Sequence, residues 1–353
     1  MIGTHVEIVG ASFAGLACAQ ACAARGLRTI VWDRKRDAGD AVHTTGLLVK
    51  EAAELLDPPV ELTRKIRGVR VYGPSLGWID LEAPGYYFLA TDTPGLLRSL
   101  SRRAEDAGAD IRWGQGFRPE RRPRLLVGAD GPRSAVARAA GLGRNRRFLT
   151  GAEVELEGIR GVEDRLHVFL DPRLAPGYIA WVVPGVGITQ VGLAGSRPGR
   201  PPLDAFLDRI SGCFDLSSAR RVGNRAGLIP VGGTVRPFAS RDVVLVGDAA
   251  GVVSPLTAGG IHTALDTGRA AGIAIANHLQ DAGPTPDVAL RGTYPTYTWK
   301  RGLRLAMEVT VPAPVLDLAI GNRAFRALAQ AVFFHHRGLR SAEAWRDLAR
   351  SQR

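Results

Sequence analysis

The stretch His5-Val-Glu-Ile-Val-Gly10-Ala-Ser12-Phe-Ala-Gly15-Leu16 runs through an alanine-rich segment to Arg25 and into Leu27-Arg-Thr-Ile-Val-Trp32-Asp33, and it decides how the rest of the chain is read. A short apolar run that stops at a glycine predicts a strand. Leu16 to Arg25, free of Gly and Pro, predicts a helix, and Leu27 to Trp32 a second strand. This is the opening unit of a doubly wound α/β domain. The spacing Gly10, Ser12, Gly15 is a dinucleotide fingerprint with serine at its middle position. Gly10 permits the tight turn, a small residue at 12 lets the backbone approach a pyrophosphate, and Gly15 lets helix and strand pack closely with the helix N-terminus facing the anion. Asp33, 18 positions after Gly15, closes the second strand where a carboxylate accepts from ribose hydroxyls. Arg34 beside it is grouped with the cofactor contacts.

Two later segments repeat the strand-into-turn logic. Leu125-Leu-Val-Gly128-Ala-Asp130-Gly131 leads into a short helix from Ala135 to Ala140. Asp242-Val-Val-Leu-Val-Gly247-Asp248-Ala-Ala-Gly251 leads through Ser254-Pro255-Leu-Thr-Ala-Gly259-Gly260-Ile261-His262 into a helix from about Thr263 to Leu279. Taken singly, Asp130 reads equally well as a helix cap and Gly259-Gly260 as a plain loop. The three motifs in this order resemble the flavoprotein superfamily of p-hydroxybenzoate hydroxylase, and within it the geranylgeranyl reductase family, over nearly the whole chain. The resemblance implies FAD as cofactor and NAD(P)H or another reductant as electron donor. It places Gly10, Ser12 and Gly15 at the pyrophosphate, Asp33 at the adenosine ribose, Asp248 at the ribityl chain, and Asp130, Gly131 and Gly247 beside them. Pro255, Gly259, Gly260 and Ile261 would lie against the flavin ring, where backbone N–H groups stabilise the negative charge of reduced flavin.

From Thr150 to about Val231 the composition turns to β-rich stretches punctuated by Gly and Pro. The expected fold is therefore α/β: a Rossmann-like FAD domain (residues 1–149, with a substrate-side segment near 60–95, and 236–282), an inserted β-sheet substrate domain (150–235) and a C-terminal helical region (283–353). The line Tyr178-Ile-Ala-Trp181-Val-Val-Pro184, then Gln190-Val-Gly192, resembles the reductase motif in which aromatics and a proline precede a Val-Gly strand. It places Tyr178, Trp181 and Pro184, with Thr45, in the substrate pocket, and core packing explains Trp181 equally well. Three departures stand out. Gly39-Asp-Ala-Val-His43-Thr-Thr45-Gly46 holds no Cys where many members carry one, Thr91-Asp-Thr-Pro94 replaces a frequent Arg, and the strands usual after Ala109 are trimmed.

Reduction of an alkene by hydride also needs a proton donor, for which His43 and Tyr178 are the candidates. His262 reads as packed or capping, and Lys50 as a solvated member of an amphipathic helix. His335-His336 lacks partners at ligand spacing, so no metal is expected. In the C-terminal region Trp299, Leu303, Ala306, then Leu316, Ala319, Ile320, then Phe325, Leu328, Val332 recur at helical spacing and predict an apolar inward face.

The leading function is hydride transfer from reduced flavin to carbon–carbon double bonds of a small apolar, prenyl-like substrate. The alternatives are a flavin monooxygenase or halogenase-like enzyme acting on an aromatic or natural product, and a flavin-fold binding protein without turnover. Three Cys in 353 residues close no disulfide framework, and Cys18 and Cys22 read as helix packing. With no signal-like start, the cytoplasm is the expected compartment, with peripheral membrane contact as an option. The formal charge of +12 concentrates in two places. Residues 98–147 hold 13 Arg against five acids, and residues 299–353 hold ten basic residues against four. No recognition motif accompanies this charge, so nucleic acid is disfavoured. Phosphates of a nicotinamide cofactor, a substrate diphosphate or an anionic membrane are the partners it suits. Oligomeric state is not legible.

Overall fold

The computed structural model describes residues 5–118, 123–308 and 311–334. The opening unit forms as the glycine spacing requires, with strand His5–Val9, helix Phe13–Ala23 and strand Arg28–Trp32. A five-stranded parallel sheet runs in the order Val243–Leu245, Leu125–Gly128, His5–Val9, Arg28–Trp32, Ala109–Arg112. Val6, Ile8, Val31, Val127 and Val244 are fully buried in it, as expected of parallel strands covered on both faces. Helix Phe13–Ala23 packs on helix Ile261–Leu279 at backbone contact. A Cβ at Gly268 would stand 2.2 Å from the Ala14 carbonyl oxygen, so no larger residue fits the crossing. Cys18 and Cys22 are buried free thiols in this interface, and the Cys22 thiol reaches the Gly272 carbonyl at 3.7 Å. Packing is their role, as read from the sequence.

The second sheet has seven strands in the order Arg220–Pro230, Phe148–Glu157, Thr189–Gly195, Ala180–Pro184, Arg165–Phe169, Gly68–Tyr72, Trp78–Leu81. Two of them come from the 60–95 segment. Gly68–Tyr72 joins Arg165–Phe169 in parallel, and Trp78–Leu81 closes the edge as its antiparallel partner. A small antiparallel sheet of Leu47–Val49, Phe88–Thr91 and Thr63–Ile66 lies between the large ones. Between Arg112 and Leu125 the described residues hold no further strand, in line with the trimming.

Helices Thr298–Met307, Ala313–Ile320 and Arg323–Phe333 close the described chain. Ile320 turns inward as expected and Ala306 does not, Ala329 is buried instead of its expected neighbour Leu328, and Phe325 and Phe333 pack on the seven-stranded sheet's apolar cluster. Trp299 and Leu328 do not follow the expectation: they are 66% and 54% exposed. The residue that the first of these helices buries is Arg304, at 1% exposure. Periodicity identifies a helix with two faces, but not which face docks, and here a charged position is turned inward. His335 and His336 lie outside the described residues.

Candidate functional site

The glycine turn is locked by contacts that only glycine allows. Gly10 has φ +105°, and a Cβ there would stand 2.2 Å from the Ala129 carbonyl oxygen; one at Gly15 would stand 1.8 Å from the Gly10 carbonyl oxygen. Ser12 is the N-cap of the helix without using its side chain as a cap, which leaves its hydroxyl uncommitted to the helix end. Asp33 is buried, its carboxylate accepting from the Ala11 N–H at 2.6 Å and the Lys35 N–H at 2.8 Å. It thus ties the end of the second strand to the glycine turn, with lone pairs left for a further donor. Arg34 next to it is exposed.

Asp130 does cap the helix that follows: one carboxylate oxygen accepts from the Ala135 and Val136 N–H groups at 2.6 and 3.1 Å. Its other oxygen, Oδ1, is buried without a partner. Capping is therefore half of what this carboxylate does, and an unmatched buried acceptor beside the glycine turn is a place for a ligand donor. Gly131 at φ +82° faces open space. Asn145 holds the neighbouring turns together by donating to the carbonyls of Pro132 and Asp248 at 3.0 and 2.8 Å.

Gly247, at φ +56°, lies so close to helix Phe13–Ala23 that a Cβ would stand 2.7 Å from that of Ala14. Burial alone pushes the Asp248 carboxyl up to about 6. The following loop is folded on itself, with Ser254 N–H to the Gly259 carbonyl at 3.0 Å and Ala258 N–H to the Ser254 carbonyl at 2.9 Å. Gly260 then caps helix Ile261–Leu279. His262 faces Asp266 one turn on at 3.4 Å, a local helix contact. An orphaned acceptor at Asp130, a cradle at Gly10 and Gly15 that any side chain would fill, and a desolvated carboxyl at Asp248 are what a dinucleotide with sugar hydroxyls and a pyrophosphate requires. The residues fit FAD.

On the sheet side, two of the predicted pocket residues, Thr45 and Trp181, are joined by a carboxylate that sequence reading missed. Glu153, 4% exposed in the strand Phe148–Glu157, accepts on one oxygen from the Thr45 hydroxyl at 2.6 Å and the Trp181 indole N–H at 2.8 Å. Its other oxygen makes no hydrogen bond, the Arg225 guanidinium standing 3.7 Å away. Arg225 is itself drawn to Glu155 and to the Thr44 carbonyl. Desolvation pushes the Glu153 carboxyl above its ordinary range against the pull of its donors. Gln190 donates to the Thr45 carbonyl at 2.8 Å. The signal for Glu153 in the sequence was faint, because Glu153, Glu155 and Glu157 alternate as a solvated strand face would.

Trp181 lies flat over the cross-strand Gly192, where a Cβ would stand 2.6 Å from the indole. Tyr178 donates its hydroxyl to the Thr257 carbonyl of the glycine loop at 2.5 Å, and burial pushes its phenol well above the ordinary range. Tyr178 and Ala258 pack on the same apolar cluster as Trp181, Phe88 and Phe334. The structure thus brings together Thr45, Tyr178, Trp181 and the 255–261 loop. Pro184 ends its strand at the hairpin opposite Thr189, away from Glu153. His43 is exposed, its Nδ1 held by the Ala226 carbonyl at 3.0 Å. Lys50 sits on helix Lys50–Leu56, half-buried, donating to the Gly85 carbonyl at 3.0 Å.

Comparison with known proteins agrees with this geometry. Residues 8–56 match the family model of an NAD(P)-binding Rossmann-like domain. A digeranylgeranylglycerophospholipid reductase of Methanopyrus kandleri is 28% identical, covering 93% of this chain and 90% of its own length. A geranylgeranyl bacteriochlorophyll reductase-like protein of Thermoplasma acidophilum shares the fold with a TM-score of 0.78 at 21% identity, over 96% of this chain and 98% of its own. A probable FAD-dependent monooxygenase of Pseudomonas aeruginosa superposes with a TM-score of 0.62 at 19% identity, over 92% and 98%. The resemblance carried by the three motifs is borne out.

Proposed function

We propose that this FAD-dependent oxidoreductase of the geranylgeranyl reductase family saturates carbon–carbon double bonds of a small apolar, prenyl-like substrate, with NAD(P)H or another reductant as electron source. The observation that supports the reading is the apolar cluster joining the glycine loop to the inner sheet, in which Ala258, Tyr178 and Phe325 pack against the buried Trp181, Phe88 and Phe334. Residues 1–149 and 236–282 would hold the cofactor, and 150–235 with the segment near 60–95 the substrate, with the C-terminal helical region 283–353 covering it.

Gly10, Ser12 and Gly15 would meet the pyrophosphate, Asp33 and Arg34 the adenosine end, and Asp130, Gly131, Gly247 and Asp248 the sugar hydroxyls. Pro255, Gly259, Gly260 and Ile261 would line the ring. Bound there and reduced, FAD supplies a hydride from N5. The apolar cluster beside the loop would keep water from the reacting carbons. Glu153 fixes Thr45 and Trp181 in place by accepting from both. Tyr178 keeps its proton and directs it at Thr257. His43 donates its Nδ1–H to the Ala226 carbonyl, which leaves Nε2 as its ring nitrogen for proton transfer to the substrate.

No helix among the described residues is long and apolar enough to cross a membrane. Peripheral contact fits the C-terminal helices, which expose Trp299, Leu305, Val315 and Leu318 beside Lys300, Arg301, Arg323 and Arg326. Apolar side chains rimmed by cations suit an anionic lipid surface. Incubating the FAD-loaded chain with a reductant and a geranylgeranyl lipid, then weighing the product, tests the chemistry. A gain of two hydrogens per double bond is expected; a gain of one oxygen overturns it in favour of a monooxygenase. Sedimentation with anionic liposomes tests the surface, and binding indifferent to salt and to lipid charge overturns it.

A further inference from the structure

Helix Thr298–Met307 is inverted relative to its chemistry, since it exposes Trp299 and Leu305 and buries Arg304 at 1% exposure. All three guanidinium nitrogens of Arg304 lack a hydrogen-bond partner. The nearest carboxylate, Glu308, reaches Nε at 3.8 Å, an ion-pair distance too long for a hydrogen bond, and its other oxygen faces Arg147 at 3.6 Å. A guanidinium withdrawn from water with no partner costs several kcal/mol unless an anion completes it. Gly177, at φ +70°, packs closely against it: a Cβ there would stand 3.3 Å from a terminal Arg304 nitrogen, 3.2 Å from the Ser196 hydroxyl and 3.4 Å from the Met307 carbonyl oxygen. The next residue is Tyr178, whose hydroxyl touches the Thr257 carbonyl of the glycine loop.

We propose that Arg304 is the seat of a phosphate-type oxyanion carried by a bound ligand, gripped at two points by its unpartnered guanidinium. The planar fork of arginine matches two oxygens of a phosphate, and a dry setting strengthens each bond. The same chemistry arrives on the head of an apolar substrate or on a nucleotide reductant. The first source rests on the function proposed above and the second does not. Either gives one of the C-terminal basic residues a task that general surface charge does not explain.

The test is ligand binding by calorimetry on the full FAD-loaded chain, without turnover. Inorganic pyrophosphate is the shared probe, prenyl diphosphate against prenyl alcohol reports the substrate head, and NADPH against NADH reports the reductant. Wild type is expected to bind pyrophosphate and to prefer the phosphorylated member of one pair by about tenfold or more. Arg304→Met abolishes both the binding and the preference, and the pair that responds names the source. Should Arg304→Met fail to fold, Glu308→Gln decides: it removes the competing carboxylate and tightens pyrophosphate several-fold. Wild type indifferent to pyrophosphate and to both pairs overturns the proposal, as does a folded Arg304→Met with unchanged preferences or a Glu308→Gln with unchanged affinity. A chain that discriminates phosphates but never reduces an alkene breaks the functional reading and leaves this one standing.

Discussion

The parallel sheet and the seven-stranded sheet build their halves of the proposed site by different means. On the parallel side the site is made of backbone, with glycines at 10, 15 and 247 where side chains would collide, and carboxylates at 33 and 130 that pin turns. On the other side it is made of side chains brought from separate strands, Glu153 joining Thr45 to Trp181 across 108 and 28 residues of chain. Backbone sites are local and tolerate almost no substitution. Side-chain sites are dispersed, and their cost depends on whether a replacement keeps the hydrogen bonds.

The sharpest way to break this contrast is Gly15→Val. Its side chain would meet the Gly10 carbonyl oxygen, where even a Cβ would stand at 1.8 Å. Overpacking costs about 1–3 kcal/mol, and here it falls on the turn itself, so the purified variant is expected to emerge without bound FAD; a yellow, stoichiometric variant would refute the turn's role. Asp248→Asn comes next. A carboxylate that accepts sugar hydroxyls contributes about 1.5–3 kcal/mol, so FAD binding should weaken about tenfold or more by fluorescence titration. The sign of its pH dependence follows from burial. With the folded carboxyl raised to about 6 against roughly 4 when unfolded, the buried neutral form stabilises the cofactor-free chain below pH about 4, and this contribution is lost as pH rises through 6. FAD affinity runs the opposite way, rising through the same window as the carboxylate forms. Asp248→Asn should flatten both profiles.

On the side-chain face, Glu153→Leu leaves the Thr45 hydroxyl and the Trp181 indole N–H without their acceptor. A loss of about 1–3 kcal/mol is expected by denaturant unfolding, whereas Glu153→Gln, which keeps an acceptor oxygen, should lose less than half as much. Equal losses would mean that Glu153 acts through its charge rather than by holding its two donors. The smallest effect is expected at the exposed Leu318, where Leu318→Ser should change stability by no more than about 0.5 kcal/mol while lowering binding to anionic liposomes. Unchanged liposome binding would remove this residue from the membrane surface.

The same contrast explains what the sequence made legible. The glycine motifs announced the parallel sheet because each encodes its own geometry within a few residues; Asp33 followed from its place at a strand end and Asp248 from the family resemblance that the motifs carry. Glu153 escaped because its alternation with Glu155 and Glu157 imitates a solvated strand, and its partners approach only when residues 45, 153 and 181 are folded together. Arg304 escaped for a related reason. Helical spacing around Trp299, Leu303 and Ala306 pointed to an apolar inner face, but the docked face is set by contacts with Gly177 and its neighbours, far away in sequence.

The most direct test of the account mixes the reduced, FAD-loaded chain with a geranylgeranyl lipid in the strict absence of oxygen and follows the flavin spectrum. Return of the oxidised-flavin absorbance at a rate that rises with lipid concentration is predicted, because the alkene itself accepts the hydride. A flavin that stays reduced until oxygen is admitted, and then reoxidises with oxygen incorporated into the lipid, would contradict it.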